Sequence, residues 1–407
     1  MKAVIYGAGN IGRGFIGQLM SQSGYEVVFL DIAEAVIDRL NQDHHYPVVV
    51  VGDDGDQVID VTNVSGVNSK DEEAAAKQIF EADVMATSVG VNVLKFIARP
   101  VAKGISARIK AKRPPLNILL CENLIEADRY LKGELFKYLS EDEQKVFGQY
   151  VGLVEASIGR MVPVLPKAEG ENPLKVCVES FDILHLDKAG FVGEIPPIKN
   201  ILPYAPFDYF IQRKLFIHNM CHAMTAYLGS LRGYEYIWEA VSDPEIRYCV
   251  LEAGTAAARA IAADTKGDLG DLLDFLNKLL FRFDNTALQD TVERVGRDPV
   301  RKLKANDRLV GAFLLCKKHG IETVWLDLAL AAALSYRNKA DDKSMEIQRA
   351  VAAEGLKAAL IRYAGTEDFP EADLESISVL YGMIAEGSFT AAMRYCAKTL
   401  ANRIPNK

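Results

Sequence analysis

Lys2-Ala3-Val4-Ile5-Tyr6-Gly7-Ala8-Gly9-Asn10-Ile11-Gly12 opens the chain, and its reading decides the rest. Five residues of strand character run into three glycines spaced G-x-G-x-x-G, and a helical pattern over residues 11–23 follows. The glycines serve three separate physical needs, namely a tight turn, close approach of backbone to a pyrophosphate, and close packing of helix on strand. The helix start then offers N–H groups and a partial positive charge to phosphate. The hexapeptide alone also occurs in proteins that bind FAD or an S-adenosyl donor. Here a second strand pattern, Glu26–Asp31, ends in a carboxylate. Asp31 can accept from both hydroxyls of an adenosine ribose and would repel a 2′-phosphate. No Arg or Lys follows it until Arg39. The predicted cofactor is NAD, held by Gly7, Gly9, Asn10, Ile11, Gly12 and Asp31.

Outward from that start, strands are expected at residues 83–88 and 117–121, and helices at 33–41, 71–80 and 93–111. Such alternation argues for a parallel sheet with helices on both faces. Ser88 and Asn123 then fall where loops cross the carboxyl edge of the sheet, the ligand edge of open α/β folds. Asn123 can equally be a helix cap. Valine runs at 48–51 and 58–61 flank Asp53-Asp54-Gly55-Asp56, which is turn chemistry, and predict an inserted hairpin. Shorter strand patterns stand at 152–155 and 175–181. The character changes near Pro196-Pro197. From Asp208 the pattern is helical nearly to the end, with Pro244 and Pro299 where helices can start and residues 402–407 as a loose tail. The fold class is therefore α/β: a Rossmann-type parallel sheet in an N-terminal domain, residues 1–198, and a mostly α-helical C-terminal domain, residues 199–407.

A chain of 407 residues exceeds what one core usually serves, which fits two domains. No apolar run approaches the roughly 18 residues of a membrane span, and no signal-peptide layout opens the chain. Six cysteines are scattered without a CxxC pair, which reads as reduced thiols in the cytoplasm. The formal charge of −8 disfavours nucleic acid as a partner but not a small anionic metabolite in a local basic pocket. His44, His45, His185 and His319 show no metal-ligand spacing, so no metal is expected.

The most informative stretch of the second half is Arg213-Lys214-Leu215-Phe216-Ile217-His218-Asn219-Met220-Cys221-His222. On an α-helix Lys214, His218 and His222 would stack at i, i+4, i+8, with Asn219 and His222 as i, i+3 neighbours. Alcohol oxidation needs a base for the hydroxyl proton and a donor for the developing alkoxide. A lysine in an apolar, partly cationic setting can be that base. Asn219 can donate to the oxyanion and His222 can orient the hydroxyl, with His218 behind them. By spacing alone the stretch is equally a helix with a snorkelling Lys214 and a satisfied core histidine.

Four segments together resemble the long-chain, polyol-specific mannitol dehydrogenase family: GAGNIGRGFIG (7–17), CEN (121–123), KLFIHNMCHAMTAYLG (214–229) and RVGRDPVRKL (294–303). The resemblance runs over nearly the whole chain, and the Lys-x4-Asn-x2-His spacing is particular to that family. It implies a zinc-independent, NAD-dependent oxidoreductase that interconverts a polyol phosphate and a ketose phosphate, as a monomer or weak homodimer. Lys214 would be the general acid/base, Asn219 the oxyanion stabiliser and His222 a substrate-binding residue. Three departures accompany it. Glu155, a candidate substrate contact, stands where related polyol dehydrogenases carry asparagine. Gly159 replaces the acid of a DRIVP-like segment, and Cys221 replaces a glycine. For a sugar phosphate the candidates are Arg160, Arg213, Arg297 and Arg301, since the guanidinium fork matches phosphate oxygens. Arg297-Asp298-Pro299 also reads as a capped helix start. The alternatives are an unphosphorylated polyol or hexonate as substrate, or a dinucleotide sensor without turnover.

Overall fold

Near-continuous apolar runs become buried parallel strands in the first half of the chain, because both faces of such a sheet are covered by helices. The computed structural model describes residues 1–52, 55–163 and 170–403, and the chain divides into two units, Met1–Phe207 and Asp208–Lys407. The first unit begins with β1 (Lys2–Tyr6), a π-helical stretch (Gly12–Gly17) leading into α1 (Gln18–Gln22), β2 (Glu26–Asp31) and α2 (Glu34–Asp43). There follow β3 (His45–Val50), β4 (Gln57–Thr62), β5 (Val64–Asn68), α3 (Glu72–Glu81), β6 (Val84–Thr87) and α4 (Leu94–Lys110). The unit closes with β7 (Leu116–Leu120), α5 (Ala127–Phe136), α6 (Glu141–Tyr150), β8 (Val151–Ser157), β9 (Val176–Val178), β10 (Leu184–Asp187) and β11 (Ile201–Tyr204).

The main sheet has the order β11-β10-β8-β7-β6-β1-β2-β5, and its strands from β8 to β5 are all parallel. Counted by appearance, those six strands run 6-5-4-1-2-3, the doubly wound dinucleotide-binding order. Its switch point lies between β1 and β6, where the chain leaves in opposite directions and opens a crevice at the carboxyl edge. Ala3, Val4 and Ile5 are fully buried at its centre. The inserted hairpin is present as antiparallel β3 and β4, and β9 pairs parallel with β3 to complete a second sheet. Part of its expected turn, Asp53 and Asp54, lies outside the described residues.

Strand β5, like β10 and β11, is an element that the periodicity does not predict. Val64-Ser65-Gly66-Val67-Asn68 is too polar for a buried strand by pattern, yet β2 supplies ladder partners from Val27 to Asp31. Asn41 of α2 brackets Gly66, accepting from its N–H at 2.8 Å and donating to its carbonyl at 2.9 Å. A Cβ at position 66 would stand 2.7 Å from Ile37 Cδ1, so glycine lets α2 settle on the strand.

The second unit is helical. It contains α7 (Asp208–Gln212), a π-helical stretch (Arg213–Asn219), α8 (Met220–Arg232), α9 (Ile237–Ser242), α10 (Pro244–Thr265), α11 (Leu269–Phe283), α12 (Val292–Gly296) and α13 (Pro299–Lys302). The remainder is α14 (Val310–Lys318), α15 (Val324–Ser335), α16 (Asp342–Glu354), α17 (Leu356–Ala364), α18 (Glu371–Ala385) and α19 (Phe389–Arg403). Pro244 and Pro299 stand at first helical positions, each preceded by a capping aspartate. Helix α15 is apolar on every side except for Asp327 and is buried from Val324 to Leu334, as befits a central core helix. The expected loose tail is partly helical, since α19 reaches Arg403; residues 404–407 lie outside the described residues. Among the described residues no helix is long and apolar enough to cross a membrane.

Candidate functional site

In the first unit the glycine loop leaves β1 at the switch point. Gly7 has φ +106°, and a Cβ there would stand 2.5 Å from the Ser88 carbonyl oxygen. At Gly12 a Cβ would meet the Gly7 carbonyl oxygen at 2.0 Å. Both positions therefore exclude any side chain. At Gly9 a Cβ would meet nothing within 4 Å, so the backbone there stands open to a ligand. The helix begins at Asn10 and continues through Ile11, and its first N–H groups have no intrahelical partner. The loop thus fits a pyrophosphate. Ser88 donates to Gly7 O at 3.1 Å and ties the β6 loop to the β1 loop across the switch point.

Asp31 ends β2 beside this loop. Its Oδ2 accepts from Ala8 N at 2.7 Å and its Oδ1 from Ala33 N at 3.0 Å. Each carboxylate oxygen has further lone-pair capacity, so ribose hydroxyls can still be accepted. Two cations of this region are paired, Arg39 with Asp43 at 2.5 Å and Lys70 with Glu34 at 3.1 Å.

At the carboxyl edge, next to Asn123, stands Glu122, to which the sequence reading gave no role. Glu122 is 5% exposed and accepts from Val89 N and Gly90 N, both at 2.8 Å. Burial pushes its carboxyl above the ordinary range, while those two N–H groups and Thr87 pull against that rise. It fixes the loop after β6; Asn123, next in sequence, is exposed. Glu155 stands at the end of β8, where its Oε1 accepts from Ala127 N at 2.9 Å. Its charge therefore sits at the head of α5, a favourable place for an anion.

Arg160 departs from the expectation of a phosphate contact. It is 4% exposed; Nε donates to Glu179 O at 2.9 Å, and one terminal nitrogen to Gly14 O at 3.2 Å and Gln18 Oε1 at 2.8 Å. Burial lowers it to about 10. The guanidinium is a brace inside the first unit. Gly159 has a local reason to be small: a Cβ there would lie 3.1 Å from the Phe181 ring.

In the second unit the α-helix expected over residues 213–222 is corrected by the structure, because residues 213–219 are π-helical. On an α-helix Lys214 and Asn219 would point about 140° apart. An i→i+5 hydrogen-bonding pattern instead returns residue i+5 over residue i. The π stretch therefore brings Asn219 onto the side of Lys214, and α8 carries His222 one turn further. Lys214, Asn219 and His222 are half-buried, whereas His218 is buried. Burial lowers His218 well below the ordinary histidine range, with Arg282, His222, Lys214 and Arg308 acting the same way. It is a neutral ring behind the polar set.

Two residues from later in the chain lie against His222. Its ring stacks on Phe283, with centroids 4.7 Å apart and planes at 19°. Its Nε2 lies 3.0 Å from Asp290 Oδ2. Asp290 precedes α12 and is distant in sequence; the one hint was its i, i+4 spacing to Arg294. Cys221 is fully buried against α10, its sulfur 3.9 Å from Val250 O.

The basic candidates separate. Arg213 lies between the rings of Phe275 (4.2 Å) and Phe210 (4.4 Å), and burial lowers it to about 10. Arg297 is exposed at the end of α12, and Arg301 is exposed and paired with Asp298 at 3.4 Å and Asp307 at 3.5 Å. Lys302, next to Arg301, is 4% exposed and donates to Arg297 O. Burial, then Arg308 and Arg301, lower its ammonium to about 7. Among the described residues no group of three or more His, Cys, Asp or Glu is placed to hold a metal ion.

Residues 1–200 match the mannitol dehydrogenase Rossmann domain, and residues 207–399 match the mannitol dehydrogenase C-terminal domain. The chain belongs to the mannitol dehydrogenase family. Within that family's fold, a D-sorbitol dehydrogenase solved in substrate-free form superposes with a TM-score of 0.81 at 15% identity. That match covers 97% of this chain and 95% of the other. A Pseudomonas fluorescens mannitol 2-dehydrogenase, solved as a ternary complex with NAD and D-mannitol, gives 0.75 at 17% identity, over 98% and 94%. At such identities these likenesses establish the fold.

Proposed function

We propose that this member of the mannitol dehydrogenase family is an NAD-dependent mannitol-1-phosphate 5-dehydrogenase, interconverting mannitol 1-phosphate and fructose 6-phosphate. The observation that carries the reading is the π stretch, which gathers Lys214 and Asn219 on one side of a helix with His222 one turn on. NAD is the cofactor: Gly7, Gly9, Asn10, Ile11 and Gly12 cradle the pyrophosphate, Asp31 takes the ribose, and Ser88 and Asn123 lie toward the nicotinamide. The pairing of Arg39 with Asp43 and of Lys70 with Glu34 supports NAD over its 2′-phosphorylated form. The cofactor supplies or accepts the hydride when bound. Lys214 as an ammonium gives its proton to the forming alkoxide, and as an amine takes the hydroxyl proton in the oxidative direction. Asn219 donates to the alkoxide oxygen, and His222 holds the hydroxyl in line. Cofactor binding is assigned to residues 1–198 and catalysis to residues 199–407.

For the phosphate, Arg297 and Arg301 with the buried Lys302 and Arg308 form the basic ground that supports an anionic substrate. A second reading, an unphosphorylated polyol, is favoured by the engagement of Arg160 and Arg213 elsewhere and by the ion pairs of Arg301. Loss of NADH absorbance with purified protein tests both. Turnover of fructose 6-phosphate and not of fructose is the expected result. Turnover of fructose alone moves the assignment to the unphosphorylated polyol. No turnover of either, with NADH still bound, would overturn both readings.

A further inference from the structure

Nε2 of His222 is a buried nitrogen with no aligned hydrogen-bond partner. Buried N–H groups in folded proteins are almost always paired. The carboxylate at hand is that of Asp290, whose Oδ2 is 3.0 Å away but off the N–H direction. A small rotation of either side chain completes that bond, and catalytic hydrogen bonds commonly tighten when the substrate arrives.

Asp290 is itself held from several sides. It is 7% exposed, and Arg294 reaches its Oδ1 through Nε and a terminal nitrogen, each at 2.6 Å. Its backbone carbonyl accepts from Ile237 N at 2.8 Å, and the next residue, Thr291, bridges to Tyr236. Burial would raise its carboxyl, but His222 and Arg294 outweigh that and leave it below the ordinary carboxylate range. The carboxylate is therefore a fixed anion. Phe283 lies flat against the imidazole, and His218 stands edge-on with its centroid 6.2 Å away. One edge and one face of the His222 ring are thus occupied.

We propose that Asp290 is a positioning residue for His222: it holds the imidazole as the Nε2–H tautomer, leaving Nδ1 as the acceptor that meets a substrate hydroxyl. The physical basis is that the hydrogen bond made by one ring nitrogen sets the state of the other. This rests on the reading of His222 as a substrate-binding residue. The pair itself is measurable without substrate.

Nitrogen-15 NMR of the imidazole in the substrate-free full-length protein reports the tautomer directly. The wild type is expected as Nε2–H. Asp290→Ala is expected to mix the tautomers, and Asp290→Asn to keep Nε2–H, because the amide oxygen still accepts. In turnover, Asp290→Ala lowers kcat/KM about tenfold or more while the NADH Kd stays within about twofold, and Asp290→Asn recovers most of the loss. A purely structural ion pair would not give recovery by the neutral amide. An unchanged tautomer in Asp290→Ala, or Asn no better than Ala in both measurements, overturns the proposal. Where Asp290→Ala does not fold, Asp290→Ser, too short to reach Nε2, gives the same tautomer comparison. A wild type that holds Nε2–H but turns over no polyol would sink the functional reading and leave the pairing itself standing.

Discussion

Cys221 stands where the resemblance to the family leads one to expect glycine, and Gly254 shows how a thiol is accommodated there. A Cβ at position 254 of α10 would stand 3.0 Å from the Cys221 sulfur, so the thiol fills space that a glycine opposite leaves open. Buried and apolar in its surroundings, the Cys221 thiol is pushed well above its ordinary range and is inert. The chemistry proposed for this site rests on Lys214, Asn219 and His222. Lys214→Ala is expected to lower kcat by at least about a hundredfold, the loss of a general acid/base. NADH affinity, followed by fluorescence titration, should be unchanged, because the residues proposed to hold the cofactor belong to the first unit. Loss of NADH binding in that variant would contradict the division of labour. The arginines behave differently. Sequence shows that a guanidinium is present but not what it faces, and Arg160 and Arg213 face carbonyls and aromatic rings.

At the scale of elements, both stretches proposed to carry function contain π-helical turns, Gly12–Gly17 and Arg213–Asn219. Such turns rearrange which side chains share a face. Hydrophobic spacing reports that a segment is helical but is nearly blind to one extra residue in a turn. That the segment from Lys214 to His222 is helical was therefore legible, and the π turn that puts Lys214 and Asn219 on one side of it was not. In the first π stretch the glycines serve packing as well as the cofactor. A Cβ at Gly14 would stand 2.6 Å from Val176 Cγ1 of β9, in the second sheet. Gly14→Ala is accordingly expected to cost about 1–3 kcal/mol in urea unfolding through overpacking. A stability equal to the wild type would mean that β9 gives way without cost. Strand β5 makes the same point, since its ladder depends on β2 and its packing on Ile37.

Across the whole molecule, two buried titratable groups in the second unit tilt stability with pH in opposite directions. Asp327 is 1% exposed on α15; burial pushes its carboxyl up to about 8, reinforced by the charge of Asp373. The unfolded carboxyl ionises near its ordinary value while the folded one keeps its proton, so folding is favoured less and less as pH rises from about 4 to 8. Asp327→Asn should match the wild type at pH 4 and be more stable at pH 8 by up to about 5 kcal/mol, at about 1.4 kcal/mol for each unit of the window. Equal stability at pH 8 would remove Asp327 from the pH dependence. Lys302 works the other way: its depressed ammonium costs stability as pH falls from about 10.4 toward 7. Neither group could be found by reading along the chain. Strand and helix alternation, the glycine loop, Asp31 and the capped prolines were legible there, because each is set by residues a few positions apart. The seating of Asp290 against His222, the hold of Glu122 on the loop after β6 and the burial of Lys302 arise only when distant segments pack. Such contacts depend on how side chains fill the space between elements, and no local periodicity encodes that.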